Sequence, residues 1–155
     1  KCDVFINSMG TTIKAAGSKE KQYAIDVSYP LQTAQMAVEQ GCRKILNVSA
    51  TGAHAASSIF YNRIKGELEN GLNELGVESI THFRPSLLLG DRKEFRLGEK
   101  IGEPFMKALK FIPGLKKYRP IEDSILAKAI LKACLAKDSG TRVLELDQIH
   151  AFEAT

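Results

Sequence analysis

The sequence predicts a three-layer α/β domain with a mainly parallel, doubly wound sheet, and three observations predict it. Short, apolar, β-prone segments alternate with amphipathic helical segments of about 15 residues or more, which is the pattern of βαβ units. Of the 155 residues 44% are hydrophobic and 26% charged, as in ordinary globular domains. The chain contains neither an internal repeat nor a low-complexity linker, so we predict one domain over residues 1–155.

The first third of the chain predicts two strands separated by helix. Residues 2–7 form the first strand candidate, and residues 18–40 carry the apolar spacing of one long helix or two. Pro30 inside that run predicts a kink or a boundary, and Gly41 is placed to end the helix. Residues 44–48 are the second strand candidate.

The middle of the chain predicts a helix and a third strand. Ser57 or Ser58 can cap a helix that runs to about Leu75 and stops at Gly76. Its apolar face consists of residues spaced three or four apart: Ile64, Leu68, Leu72 and Leu75. Two glutamates on this helix, Glu67 and Glu69, are predicted to face solvent. Residues 80–83 are the third strand candidate, ended by Arg84 and Pro85.

The last third predicts two further helices and a closing strand. The first helix carries apolar residues between positions 97 and 109 and stops before Pro113. The second covers residues 121–136, with Ile125, Ala129, Leu131 and Cys134 facing inward. Residues 142–146 form the closing strand. About four strands are few for a doubly wound sheet, and the first of them starts almost at once after Lys1.

Charge and cysteine content narrow the classes of partner. The 22 basic and 18 acidic residues leave a net charge of +4, but the basic residues are dispersed, so we expect no nucleic-acid partner. We expect no membrane partner either, because no segment approaches the roughly 20 apolar residues of a spanning helix. Three widely spaced cysteines argue against a disulfide framework or zinc site, and the histidines lack metal-ligand spacing. A cytoplasmic location is the expectation.

Tyr61 and Lys65 are the strongest chemical signal in the sequence. At positions i and i+4 of a helix they lie on the same side, one turn apart. An ammonium beside a phenol lowers the tyrosine pKa from about 10, which suits tyrosine to acid–base chemistry near neutral pH. At about 100° per residue, Tyr61 falls at the centre of the apolar face and Lys65 at its edge. A core tyrosine beside a lysine that reaches solvent is the open alternative.

Ser49 adds a hydroxyl at the same predicted edge of the sheet. It directly follows the strand candidate at residues 44–48, and the carboxyl ends of parallel strands are where open α/β folds bind ligands. A hydroxyl there could hold a substrate carbonyl while Tyr61 transfers a proton. The alternative is a serine that only forms a turn.

Ser49, eleven intervening residues, and Tyr61-x-x-x-Lys65 resemble the catalytic serine, tyrosine and lysine of the short-chain dehydrogenase/reductase superfamily. The segments around them are similar to its atypical branch, which contains the Tat-interacting-protein-like NAD(P)-binding oxidoreductases. These segments are residues 48–53, 60–67 and 83–90, together with residues 10–12, 16–18 and 118–121. The likeness covers nearly the whole chain in order. It implies a Rossmann-type domain and an NAD(P)-dependent oxidoreductase.

The resemblance also implies roles and a cofactor, NADP(H), slightly favoured, or NAD(H). Tyr61 would be the proton donor or acceptor, Lys65 would assist it and bond the nicotinamide ribose, and Ser49 would orient a small-molecule substrate. Other contacts to the cofactor would come from residues after the first and third strands: Gly10 and Thr11 on the adenosine side, and Pro85, Ser86 and Leu87 at the nicotinamide end. Pairing of two copies through the Tyr61 helix and its neighbour is implied by analogy.

Two departures from the family pattern matter. Asp26 stands where many relatives have the asparagine of a catalytic tetrad, which puts a full proton relay in doubt. Nothing in the chain matches the Gly-rich phosphate loop that follows a first strand. We therefore expect the chain to correspond to a Rossmann-type domain that is incomplete at its N-terminus, from about its fourth strand onwards, and to bind cofactor poorly by itself.

Two other functions stay open at this point. One is a redox-sensing regulator that binds NADPH and a partner protein without turnover. The other is an interaction or structural domain in which Tyr61 and Lys65 only pack.

Overall fold

Four parallel strands form the main sheet of this computed structural model, which describes residues 2–86, 88–89 and 120–154. The strands in order across the sheet are β1 (Val4–Asn7), β2 (Lys44–Val48), β3 (Ser79–Arg84) and β6 (Gly140–Glu145). A second sheet pairs two short parallel strands, β4 (Leu88–Leu89) and β5 (Ile121–Glu122). The sequence did not predict this second sheet, because two-residue strands carry no periodicity.

Helices cover both faces of the main sheet, as the predicted fold class requires. They are α1 (Ile13–Ala16), α2 (Lys19–Tyr23), α3 (Tyr29–Glu39), α4 (Phe60–Asn73), α5 (Asp123–Leu135) and α6 (Leu146–Ala154). A π-helical turn, Ala24–Ser28, joins α2 to α3. The neighbouring strand residues Ile45 and Leu46 are both buried, one in each core, because side chains alternate along a strand. The prediction of a three-layer α/β fold is confirmed.

Each face of the sheet has its own hydrophobic core. The first core contains residues of the π-helical turn, α3, α4 and the sheet: Val27, Ala34, Ile45, Ile64, Leu68, Leu72 and Ile80. The second contains residues of α5, α6, β5 and the sheet: Leu46, Phe83, Ile121, Leu126, Ala129, Ala133, Leu144, Leu146 and Ile149. The predicted apolar face of α4 therefore packs against the sheet as expected.

The structure corrects two sequence predictions about helices and confirms a third. Ile59, and neither Ser57 nor Ser58, is the N-cap of α4, because the Ser57 hydroxyl accepts a bond from the Ile59 N–H instead (3.2 Å). Of the four residues predicted to face inward from α5, only Leu131 does not, because its side chain is 60% exposed. Ala129 is buried in the second core, and Ile125 and Cys134 pack against it. The boundary predicted at Pro30 is confirmed, because Pro30 lies in the first turn of α3, directly after the π-helical turn.

Two further differences concern the end of the chain. The closing strand ends at Glu145, and Leu146 begins α6, which the sequence did not predict. The helix predicted between positions 97 and 109 lies outside the described residues. Within the described ranges, no helix combines the length and apolar character needed to cross a membrane.

A buried lysine closes the amino edge of the sheet. Lys44, at the start of β2, donates to carbonyl oxygens at the end of α5, one of them that of Ala133 (2.9 Å), and lies 2.8 Å from Asp138. Ser79 and Arg142 also donate to Asp138. Burial acts to raise the pKa of Asp138, but the bonds from Lys44 and Ser79 and the charge of Arg142 outweigh it and hold that pKa below its ordinary value.

Candidate functional site

The carboxyl edge of the sheet gathers the loop after β1, the loop after β2 and the first turns of α4. Lys65, one turn into α4, is only 2% exposed. Its ammonium donates to the Met9 carbonyl (3.3 Å) and lies 3.3 Å from the Asp26 carboxylate. It also lies 5.7 Å from the centre of the Tyr61 ring. A buried ammonium thus faces a carboxylate, a carbonyl and a phenol.

Asp26 reaches this place from the π-helical turn between α2 and α3. π-Turns inside helices are frequent at functional sites because the extra residue re-aims a side chain. The Asp26 side chain is fully buried, and its Oδ1 accepts a bond from the Thr11 N–H (2.7 Å). Its Oδ2 has no hydrogen-bond donor among the described residues, although it lies beside the Lys65 ammonium. This oxygen is therefore paired with the Lys65 ammonium by charge rather than by a hydrogen bond.

Because Gly10 has no side chain, the Lys65 ammonium can lie close to its backbone. A Cβ at this position would lie 3.3 Å from Lys65 Nζ and 3.6 Å from Asp26 Oδ2. The predicted cofactor-contacting pair Gly10 and Thr11 therefore borders the buried lysine, with the Thr11 backbone holding Asp26 on one side and accepting from the Gln22 side chain on the other (3.0 Å).

A chain of buried amides fixes the loop that carries Met9. Asn7 binds the Met9 N–H (3.1 Å) and donates to Asn47 (2.8 Å), which in turn donates to His82 Nδ1 (3.1 Å). Because His82 Nδ1 accepts a hydrogen bond, we assign the ring proton to Nε2, which faces the side-chain oxygen Oδ1 of Asn73 at 2.9 Å. Burial lowers the pKa of His82 and keeps the ring neutral. The network crosses β1, β2 and β3. It ends at the N–H of Met9, the residue whose carbonyl accepts the hydrogen bond from Lys65.

Ser49 is buried at the end of β2, with 4% exposure. Its N–H donates to the Phe83 carbonyl on β3 (2.7 Å), which fixes the backbone at the sheet edge. Its hydroxyl has no hydrogen-bond partner among the described residues. A buried hydroxyl is costly without a partner, so an unpaired one at this edge is a candidate ligand contact.

The loop after Ser49 is held against α4. The His54 N–H donates to the Asn62 carbonyl (3.0 Å), and a Cβ on Gly66 would come within 2.3 Å of the loop backbone. Only glycine permits this approach. The loop contact therefore fixes the position of Ser49 relative to the helix that carries Tyr61 and Lys65.

Tyr61 is the most accessible member of the predicted catalytic set, with 37% exposure. The sequence placed Tyr61 at the centre of the apolar face of α4 and Lys65 at its edge, and the structure reverses that order. The reason is that α4 begins at Phe60, so Tyr61 lies in the first turn, at the rim of the sheet. Lys65 lies one turn further in, over the loop after β1.

The loop after β3 borders the same edge. Thr51 donates to the carbonyls of Arg84 (3.1 Å, side chain) and Pro85 (3.0 Å, backbone), so this loop is tied to the loop that follows Ser49. Pro85 is buried and Ser86 half-buried, while the third predicted nicotinamide contact, Leu87, lies outside the described residues.

Glu69 is a residue whose environment the sequence mispredicted. Instead of facing solvent it is 5% exposed and forms two hydrogen bonds with Arg84 (3.0 and 2.6 Å). These bonds raise the pKa of Arg84. The pair attaches α4 to the end of β3, a contact that helical periodicity does not reveal. Glu67 is half-buried.

Comparison with known proteins identifies relatives of longer length. No family model matches the chain. Over 138 residues it is 37% identical to a protein of Emericella nidulans named "Protein fmp52, mitochondrial", covering 88% of this chain and 59% of that protein. Over 89 residues it is 44% identical to "Protein FMP52, mitochondrial" of Saccharomyces cerevisiae, covering 57% of this chain and 38% of that protein. The chain thus spans about half the length of these curated relatives.

Solved structures show the same fold. The Bordetella bronchiseptica enzyme WbmG, solved in complex with NAD, matches with a TM-score of 0.59 at 17% identity, over 92% of this chain and 50% of that one. The human epimerase family protein SDR39U1, solved with NADPH, matches with a TM-score of 0.57 at 16% identity, over 93% of this chain and 56% of that one. These two matches confirm the predicted Rossmann-type fold.

The expected cytoplasmic location is wrong. It followed from the cysteine content, which does not distinguish between reducing compartments. The curated relatives from Emericella nidulans and Saccharomyces cerevisiae are both named as mitochondrial proteins.

Proposed function

We propose that this chain, which has the fold of the short-chain dehydrogenase/reductase superfamily, carries the catalytic residues of an NAD(P)-dependent oxidoreductase. The substrate would be a small carbonyl or hydroxyl compound, and the catalytic residues Ser49, Tyr61 and Lys65. The names of the curated relatives support a mitochondrial location, which fractionation of cells that express the intact protein would test.

One observation carries the proposal. At a single edge of the sheet, a buried ammonium lies beside a phenol, and two buried polar atoms have no hydrogen-bond partner among the described residues: Ser49 Oγ and Asp26 Oδ2. These are the only two such atoms in the described part of the chain, and both belong to the residues around Lys65 and the end of β2. Asp26 Oδ2 still has the ion pair with Lys65, whereas Ser49 Oγ has neither kind of partner among the described residues. The buried serine hydroxyl is therefore the atom that supports a ligand contact at this edge.

The residues present fit a nicotinamide nucleotide with a carbonyl substrate. When bound, the nicotinamide would supply or accept hydride. Lys65 would hold a ribose hydroxyl, because its ammonium has capacity beyond the Met9 carbonyl, and its charge would favour the phenolate form of Tyr61. Ser49 would donate a hydrogen bond to the substrate oxygen, and Tyr61, at the accessible rim, would give or take the proton.

The test is turnover by the intact protein with NADPH or NADH against a panel of aldehydes and ketones. We expect Tyr61→Phe to lower kcat/KM at least about 100-fold, the usual contribution of a positioned acid or base. Cofactor binding, measured as a thermal shift, should survive the change. Tyr29→Phe is the matched control, because Tyr29 is 52% exposed on α3 and takes no part in the proposed site.

Three outcomes would contradict the proposal. A thermal shift with cofactor but no turnover on any substrate would favour a redox-sensing regulator. No thermal shift with either nucleotide would leave an interaction domain. Full turnover in Tyr61→Phe would remove Tyr61 from the mechanism.

A further inference from the structure

Two cysteines that are forty positions apart in sequence lie side by side at the amino edge of the sheet. β1 and β2 pair in register from Val4 opposite Lys44 onwards, and Cys2 and Cys42 each lie two positions before the first paired residue of the respective strand. The Cys2 N–H donates to the Gln40 carbonyl (3.5 Å), which keeps the two chain segments together before the strands begin.

The two thiols make the same kind of hydrogen bond. Each donates weakly to the carbonyl two residues on, Cys2 to Val4 (3.5 Å) and Cys42 to Lys44 (3.1 Å), so the two side chains are oriented alike. Burial raises the pKa of the Cys42 thiol, and the adjoining Cys2 thiol, within hydrogen-bonding reach, raises it further.

We propose that Cys2 and Cys42 are a thiol–disulfide exchange site that closes to an intramolecular disulfide when it reacts with a small-molecule disulfide such as glutathione disulfide. Neighbouring strands lie about 4.8 Å apart, inside the window of about 4.4–6.8 Å between Cα atoms that a disulfide requires. Both cysteines precede their strands, so closure would not break a ladder hydrogen bond.

The unequal exposure of the two thiols sets the order of events. Cys2 is half-buried and can meet a small disulfide, whereas Cys42 is 4% exposed and cannot. The Cys2 thiolate attacks one sulfur of glutathione disulfide, forming a mixed disulfide and releasing one glutathione thiolate. Cys42 then loses its proton to solvent and attacks the Cys2 sulfur, and the second glutathione thiolate leaves. Two protein thiols are oxidised, and one glutathione disulfide is reduced to two thiols.

The site is independent of the proposed enzymatic function. It lies at the edge of the sheet opposite Ser49 and Lys65, and it would join β1 covalently to β2. Since the loop after β1 carries Met9 and Gly10, the bond would tie down the strand that leads into the candidate site.

The experiment is native incubation of the intact protein with glutathione disulfide, followed by alkylation and peptide mapping. We expect a cross-linked peptide that joins Cys2 to Cys42, whereas Cys134 on α5, which is also half-buried, is recovered alkylated or carrying glutathione but not cross-linked. Cys134→Ser is the matched control and should leave the cross-link unchanged. Free Cys2 and Cys42 after prolonged incubation, or glutathione retained on Cys2 of the wild type, would overturn the proposal.

Two variants test the order of attack. Cys42→Ser should accumulate glutathione on Cys2, because the second thiol is missing, whereas Cys2→Ser should leave Cys42 free. Cys42→Ala serves as a second variant if serine at this buried position impairs folding. Rapid glutathione addition to Cys42 in Cys2→Ser would contradict the assigned order.

Discussion

Two buried lysines pair with carboxylates at opposite edges of the same sheet, and the two pairs differ in how completely their polar atoms are bonded. At the amino edge, Lys44 caps the end of α5 and pairs with Asp138, which also accepts from Ser79 and Arg142. At the carboxyl edge, Lys65 faces Asp26 at 3.3 Å. There one carboxylate oxygen and the nearby Ser49 hydroxyl lack hydrogen-bond partners among the described residues.

The difference separates a structural polar cluster from a candidate functional one. Leaving a buried polar group unpaired costs about 1–3 kcal/mol, so the unpaired Ser49 hydroxyl indicates that the carboxyl edge has a role other than stability. The fully bonded amino edge holds α5 to the sheet. The incompletely bonded carboxyl edge leaves contacts for a ligand.

The largest expected effect distinguishes the two lysines by turnover. In the intact protein, Lys65→Met should lower kcat/KM at least about 100-fold, because Tyr61 loses the neighbouring positive charge and the ribose loses a donor. Lys44→Met should leave the turnover of the folded fraction near that of the wild type. Steady-state kinetics at a fixed concentration of folded protein decides, and equal losses in both variants would break the comparison.

Stability should distinguish Lys44 from its exposed neighbour. We expect Lys44→Met to lower the free energy of unfolding by about 3 kcal/mol, since it leaves Asp138 and the carbonyls of α5 without their central donor. Arg43→Ala is the matched control: its side chain is 73% exposed and pairs with Glu78, so its loss should cost at most about 1 kcal/mol. Urea denaturation measures both. A cost for Lys44→Met no larger than that for Arg43→Ala would show that the amino edge is not a stabilising cluster.

The chain of hydrogen bonds through Asn7, Asn47 and His82 should affect the pH dependence of stability, because it contains a buried histidine. The folded-state pKa of His82 is lowered, so below pH 6.5 the unfolded chain binds a proton that the folded chain does not. Stability is therefore lost as pH falls from 6.5 towards the folded-state pKa, by at most about 1.4 kcal/mol per pH unit. His82→Gln should lose this part of the pH dependence, whereas His54→Gln, at an exposed loop position, should keep it. Identical profiles for all three proteins would contradict the assignment.

The elements whose signal is local could be predicted from the sequence. The apolar face of α4 was predicted because Ile64, Leu68 and Leu72 recur at helical spacing. The strand β2 was predicted because residues 44–48 form an apolar run. For α5 the prediction was right for Ala129 and wrong for Leu131, because apolar residues occur on more than one face of this helix.

The site was predictable only as a set of residue types. Position along the chain brings Ser49, Tyr61 and Lys65 to one edge, but the burial of Lys65 depends on a carbonyl at Met9, 56 positions away. Asn47 and His82 are polar residues inside apolar strands. Their presence there was the one feature of the sequence that could have predicted the chain of buried amides. The proximity of Cys2 and Cys42 could not be predicted, because it depends on how β1 and β2 pair, and the spacing of residues along the chain does not determine that pairing.

Two buried serines give the most direct test of the central claim that the carboxyl edge is reserved for a ligand and the amino edge for stability. Ser49 and Ser79 are 4% and 3% exposed, and only Ser79 has a partner for its hydroxyl among the described residues. We predict that Ser79→Ala lowers the free energy of unfolding by about 1 kcal/mol and keeps turnover, whereas Ser49→Ala costs no stability and loses turnover. A Ser49→Ala protein that is destabilised by about 1 kcal/mol or more and turns over at the wild-type rate would contradict the account.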